Sequence, residues 1–230
     1  MTEEEKTAII DIDNWWKPSE NGKKRILWCG THPIQSNGYS RVMYYISKYL
    51  GKYNDIELTI YGFQNFNKLN GQDILRGDIP SNVKIHDAYA CEEPKRSGFG
   101  EKEIGEFIKK NPQDIIIIFN DAIITSSLTA AIITECGKER KNFKLVSYMD
   151  QVYRYQKNDY INLLNSYYDA IIAFTPYWRD IAYKLGIKKS MPIYVFPHGF
   201  DHKLYYPINQ SVARIYYNYD ENDFMVLNLN

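Results

Sequence analysis

Two carboxylates, one imidazole and a glycine-containing turn are the groups in this sequence whose types and placement suit chemistry. Asp121 follows the apolar run Ile115 to Phe119, and Asp150 follows Val146-Ser147-Tyr148-Met149. Each therefore stands at the end of an expected strand, where an acid–base or hydroxyl-orienting group would project toward a ligand. Helix capping or ion pairing competes for either residue. His198 sits between Pro197 and Gly199 on an irregular turn, where a structural hydrogen bond is the competing use. Further upstream, Asn37, Gly38, Tyr39, Ser40 and Arg41 open an expected helix. A glycine at a helix mouth lets a ligand or another backbone come close, and the free N–H groups there attract anions. A plain cap by Ser36 or Asn37 competes. Gln151 adjoins Asp150, and Tyr148, Tyr153 and Tyr155 flank it, offering ring faces for sugar stacking or simply for packing. Thr175 precedes Pro176 and reads first as a helix cap, with Arg179 one turn on.

Several chemistries lack their motifs. No GxGxxG follows the first strand, and there is no GxxxxGK[ST], HExxH or GxSxG. Cys29, Cys91 and Cys136 are odd in number, far apart and free of any CxxC pair, which suggests neither a zinc site nor a disulfide framework. Cys29 and Cys136 lie in apolar segments and read as buried thiols in a reducing, cytoplasmic compartment. Asp11 and Asp13 form an Asp-x-Asp pair, but in a polar leader rather than at the end of a buried strand, so a metal role is disfavoured. Trp15 and Trp16 read as pins holding that leader to the domain.

The elements that must position these groups alternate. A first strand, Ile26 to Cys29, leads through the glycine turn into a helix whose apolar face is expected at Val42, Tyr45, Ile46, Tyr49 and Leu50. Strands are expected at Ile56 to Tyr61, Val83 to Ile85, Ile115 to Phe119, Phe143 to Met149, Ala170 to Phe174 and Ile193 to Phe196. Helices are expected at Ile104 to Ile108, Ala122 to Cys136, Asp159 to Tyr168 and Trp178 to Leu185. The run IIIIF, bounded by Pro112 and Asn120-Asp121, has the form of a strand buried on both faces of a parallel sheet. Strands alternating with helices predict an α/β, doubly wound, Rossmann-like parallel sheet of about seven strands with helices on both faces. The expected domains are a polar leader (1–24), the sheet domain (25–199), and a linker opening a truncated further domain (200–230). The last contains a short helix at Val212 to Tyr217 and a strand at Phe224 to Leu229.

Lys plus Arg and Asp plus Glu number 28 each, with no long run of one sign, which argues against nucleic acid or an anionic membrane as the main partner. No apolar run approaches the roughly 20 residues of a membrane helix. The acidic start MTEEEKTAII lacks the order of a secretion signal.

The strand–loop–NGYSR–helix opening, the stretch DAIIAFTPYWRDIAYKLGI and the segment VFPHGFDHKLYYP together resemble the N-terminal domain of retaining glycosyltransferases of family 4, which have the GT-B fold. The family's last segment usually reads hxxPNGVDxxxFxP. Gly199, Asp201 and Pro207 fit it, whereas His198 and Phe200 depart from it. The tail from Ala213 is similar to the start of the family's donor-binding domain. The resemblance implies that this domain holds a carbohydrate or glycan acceptor. The nucleotide sugar is then a co-substrate held mainly by a C-terminal domain beyond Asn230, and no metal or other cofactor is needed. It further implies that Gly38 and its neighbours face the donor phosphates and the transferred sugar, and that Asp150 stands near the reacting carbon. A sugar-nucleotide epimerase or hydrolase on the same fold, and a non-catalytic carbohydrate-binding domain, remain as alternatives. The isolated fragment is expected to be inactive.

Overall fold

The computed structural model of the chain describes residues 22–66, 76–150, 153–199, 201–203 and 205–226. Two compact units are present, Met1–Pro197 and His198–Asn230.

The first unit is built on seven strands. They are β1 (Lys24–Thr31), β2 (Ile56–Phe63), β3 (Lys84–Asp87), β4 (Ile115–Asn120), β5 (Lys144–Met149), β6 (Ala170–Ala173) and β7 (Ile193–Val195). All neighbours pair in parallel, in the order β3-β2-β1-β4-β5-β6-β7. The connecting helices are α1 (Gly38–Leu50), α2 (Ala88–Cys91), α3 (Ile104–Lys110), α4 (Ala122–Cys136), α5 (Asn158–Tyr167) and α6 (Pro176–Lys184). A short 3-10 turn, Gly137–Asn142, follows α4. The fold is the expected doubly wound, Rossmann-like α/β arrangement.

Alternation along each strand divides the core. Leu27 and Cys29 point to the face carrying α3, α4, α5 and α6, with Ile116, Ile118 and Leu145. Ile26 and Trp28 point to the opposite face, with Ile117, Phe119, Val146, Tyr148 and Met43 of α1. Burial on both sides is why the central strands read as unbroken apolar runs.

The packing face of α1 is the expected one at Val42, Ile46 and Leu50, which pack against the core, and departs from it at Tyr49. Ser40, Met43, Tyr44 and Ser47 are buried, while Val42, Ile46 and Leu50 flank that stripe and Tyr49 is exposed. The small serines let the helix lie close to the sheet, and Ser47 Oγ donates to Met43 O at 2.7 Å. Met43 occupies the space above Gly30, where a Cβ would stand 2.5 Å from its sulfur. Tyr45 and Tyr49 stack on each other, with ring centroids 6.2 Å apart.

In the second unit, α7 (Gln210–Tyr216) is capped by Asn209, whose side chain accepts from Ser211 N at 2.9 Å and Val212 N at 3.3 Å. The helix buries no residue. The strand expected from Phe224 is not found at Phe224, Met225 and Val226, which lie in no element and are exposed. A strand forms only by pairing, and these residues have no partner strand among the described residues. Most of the leader lies outside the described residues, with Asp11, Asp13, Trp15 and Trp16, and β1 begins at Lys24 within the expected leader span. No helix among the described residues is long and apolar enough to cross a membrane.

Candidate functional site

Beyond β1 the chain turns toward β2 and β3, and beyond β4 it turns the other way, toward β5. The carboxyl ends of β1 and β4 therefore flank a topological switch point, where connections part and leave a crevice. Residues 32–41 end β1 and open α1 there. Asn37 is the N-cap in extended backbone: its Oδ1 accepts from Ser40 N at 2.8 Å, and Asn37 N donates back to Ser40 Oγ at 3.2 Å. This reciprocal pair fixes the first turn of the helix. The amides of Gly38 and Tyr39 belong to the group that no intrahelical carbonyl reaches. A Cβ built on Gly38 meets no atom within 4 Å, so nothing in the chain's own packing demands glycine there.

Tyr39 bridges the switch point. Its hydroxyl donates to Asp150 Oδ2 at the end of β5, and its ring lies against Phe119 of β4 with centroids 5.2 Å apart. Phe119 in turn lies 4.7 Å from Tyr148, and Tyr148 5.3 Å from Phe174. Phe119 and Tyr148 are each 2% exposed and belong to the core, so of these rings only Tyr39 and Phe174 are partly open, and Asp150 supplies a carboxylate beside Tyr39. Partial burial, the bond to Asp150, and the Asp150 and Asp121 charges all push the Tyr39 phenol well above its ordinary range. Tyr39 therefore remains a neutral donor at physiological pH. Burial, with the same two carboxylates adding, pushes the Tyr160 phenol up to about 12.

The structure brings Tyr39, Asp121 and Asp150 within electrostatic reach of one another, beside Asn37, Gly38 and Ser40. It also assigns Asp121 a definite task. Its Oδ1 caps α4, accepting from Ile123 N at 2.9 Å and Ile124 N at 3.0 Å. Each carboxylate thus has one oxygen engaged, Asp121 by the cap and Asp150 by the Tyr39 hydroxyl, and Asp121 is exposed where Asp150 is half-buried. Arg41 is exposed on α1. Thr175 is the N-cap of α6, accepting from Trp178 N at 3.3 Å, and Arg179 pairs with its neighbour Asp180 at 3.1 Å. These two stand at the end of β6, one strand beyond β5. Tyr153 is 71% exposed. His198, Gly199 and Asp201 belong to the second unit, where Asp201 Oδ1 accepts from Lys203 N at 2.9 Å. Gln151 lies outside the described residues.

Two residues of this region carry no sequence signal. Arg76 sends its guanidinium to the glycine turn, with Nη1 2.9 Å from Pro33 O and 2.7 Å from Ser40 Oγ, and also bonded to Gln35 O. His32, at the end of β1, is buried, and burial holds its imidazole below the ordinary value despite the opposing Asp87 charge. Among the described residues no three His, Cys, Asp or Glu side chains gather as a metal ion would require.

No protein-family model matches the sequence, and no curated protein matches it. Solved structures do share the fold. Anabaena Alr3699/HepE in complex with UDP-glucose superposes with a TM-score of 0.51 at 13% identity, over 84% of this chain and 49% of that one. The same protein in complex with UDP and glucose gives a TM-score of 0.51 at 13% identity, over 85% and 50%. The chain spans about half the length of these structures. At that identity the likeness establishes the fold alone.

Proposed function

We propose that this chain is the acceptor-side domain of a two-domain, GT-B glycosyltransferase of the retaining, family 4 type, which takes a nucleotide sugar as donor. The observation that carries the reading is the bridge from Tyr39 to Asp150 across the switch point, beside the open Gly38 turn. It combines an anion-attracting helix N-terminus, a carboxylate able to orient a sugar hydroxyl, and the half-buried ring of Tyr39 beside them. Support comes from the fold neighbours, whose bound UDP-glucose, or UDP and glucose, is the ligand class the reading requires.

In this reading Asn37, Gly38, Tyr39, Ser40 and Arg41 face the donor phosphates and the transferred sugar. Asp150 orients a hydroxyl near the anomeric carbon while the acceptor oxygen bonds to that carbon and the phosphate leaves. Asp121 holds α4 and adds negative potential. Gln151, Tyr153, Thr175 and Arg179 flank the acceptor, and His198, Gly199 and Asp201 lie on the path to the donor-binding domain, which supplies the remaining charge stabilisation. The chemistry needs no metal, and the compartment is the reducing cytoplasm.

The test is an isotope-labelled titration of this chain with UDP-glucose and with a panel of oligosaccharides, read by amide shifts, alongside a transfer assay. Shifts at residues 37–41, 120, 121 and 150 are expected with a saccharide of the panel, together with negligible transfer. Silence of this rim toward every sugar would overturn the site. Transfer by the chain alone at an ordinary enzymic rate, about 10 per second, would overturn the division between two domains.

A further inference from the structure

Outside the groups already described, the strap Arg76–Asp78 makes the most concentrated set of contacts with the crevice wall. The Nη1 atom of Arg76 binds three acceptors on either side of the glycine turn: Pro33 O, Gln35 O and Ser40 Oγ. Its guanidinium also lies over the Tyr44 ring, 5.7 Å from the centroid. Two residues on, Asp78 accepts from the Tyr44 hydroxyl and pairs with Lys48 Nζ at 2.6 Å. The strap therefore grips α1 at its first turn through Arg76 and one to two turns later through Asp78.

The grip on the turn has a directional consequence. The bonds to the guanidinium turn the oxygens of Pro33 and Gln35 toward Arg76, and Gln35 O also accepts from Ser40 Oγ. Ser40 Oγ is held in turn, and it is the atom that accepts from Asn37 N to close the cap. With those acceptors fixed, the first-turn amides are presented as donors. The fixed cation beside the turn adds to the partial positive charge of the helix N-terminus.

We propose that Arg76 is the positioning residue of the glycine turn, setting the conformation in which Gly38 and Tyr39 receive the diphosphate of a nucleotide sugar. The ligand half of this statement rests on the function proposed above, whereas the positioning half stands on the contacts alone. All three bonds run through the single nitrogen Nη1, so a lysine ammonium could replace part of them but not the planar guanidinium over the Tyr44 ring, and Arg76→Lys separates charge from geometry.

The experiment measures amide hydrogen exchange at Asn37 and Ser40, and UDP-glucose affinity by titration, in the parent chain, Arg76→Lys and Arg76→Met. In Arg76→Met, exchange at these two amides should quicken about tenfold or more while the central strands β1 and β4 keep their protection. UDP-glucose should bind about tenfold more weakly, with Arg76→Lys intermediate in both measurements. If Arg76→Met fails to fold, Arg76→Lys carries the comparison. Unchanged exchange at Asn37 and Ser40 in a folded variant would overturn the positioning role. Quickened exchange with undiminished UDP-glucose binding would overturn the link to the ligand. Quickened exchange with no UDP-glucose binding even by the parent would support positioning and overturn the link to the ligand in this chain, while the acceptor role is decided separately by the saccharide titration.

Discussion

The Tyr39 hydroxyl donates to Asp150 Oδ2, joining the first turn of α1 to the end of β5 across residues 111 apart in sequence. The two elements flank the switch point, so this bond ties together the walls of the crevice. Phe at position 39 would keep the ring on Phe119 and remove only the donor. A hydrogen bond to a half-buried carboxylate that water can partly re-solvate contributes about 1 kcal/mol. Tyr39→Phe should lower the stability measured by urea unfolding by about that amount. A double-mutant cycle with Asp150→Ala should show a coupling of about 0.5 kcal/mol or more. Strict additivity would mean that the bond contributes nothing to the folded state.

A different carboxylate organises the loop between α2 and α3. Glu92 is 3% exposed and accepts three backbone amides, from Arg96 at 3.0 Å, Gly98 at 3.0 Å and Gly100 at 2.9 Å. Gly100 O also receives the Tyr61 hydroxyl at 2.9 Å, and Gly98 O receives Gln64 N at 2.7 Å. Truncation would leave buried donors without acceptors, so Glu92→Ala should cost about 3 kcal/mol or more. Glu92→Gln keeps the shape and one oxygen, and should fall between that variant and the parent in the same urea measurement.

Stability should also depend on pH through two histidines. Burial holds both His32 and His86 below the ordinary value near 6.5, with the Asp87 charge opposing it in each case. His86 is stacked between Tyr61 and Phe107, with centroids 5.0 Å and 4.3 Å away. Below pH about 6.5 the unfolded chain takes up protons that these buried rings refuse, so stability is full above that pH and falls beneath it. The slope is at most about 1.4 kcal/mol per pH unit for each histidine. Asp169 does not interfere in this window. Against the burial that raises it, its bonds from Leu145 N, Arg140 and Lys144 hold it below the carboxylate range, so its contribution is lost only below pH about 4. Urea midpoints at pH 7.5 and 5.5 check the prediction, and His86→Phe should reduce the difference by about half. An unchanged midpoint across that range would contradict it.

What could be read in the sequence follows from the range of the forces involved. The central strands were legible because they are buried on both faces and must be apolar, a demand that Ile115 to Phe119 meets locally, whereas the edge strands β3 and β7 bury no residue. The face of α1 was legible at Val42, Ile46 and Leu50, whereas the tyrosines at 45 and 49 look apolar in a periodicity without being buried. Yet the buried stripe is set by the serines at 40 and 47 and by the room above Gly30, which only the packed sheet reveals. Thr175 was legible as a cap because Pro176 follows it. Asp121 was ambiguous, since a strand-end carboxylate and an N-cap look alike in sequence. Arg76 was invisible because its acceptors lie 36 to 43 residues away and two of them are backbone carbonyls, which have no residue type. Of the strand expected from Phe224, the described residues Phe224 to Val226 form none, because an apolar run specifies a strand only where a neighbour offers unpaired backbone.

Gly30 and Gly38 give a paired test of where a ligand approaches. A methyl on Gly30 would stand 2.5 Å from Met43 Sδ, within the chain's own packing, whereas one on Gly38 meets nothing within 4 Å. Gly30→Ala should therefore destabilise the fold by about 1–3 kcal/mol, as overpacking does. Gly38→Ala should leave it unchanged or raise it by at most about 1 kcal/mol, because alanine loses less backbone entropy in a helix. If a nucleotide sugar settles on the α1 amides, the added methyl intrudes on the ligand instead. The same 1–3 kcal/mol then appears as a loss of affinity of about fivefold to more than a hundredfold. Urea unfolding and UDP-glucose titration on the two variants should thus give opposite patterns. A Gly38→Ala chain that binds UDP-glucose as tightly as the parent would move the diphosphate away from this turn.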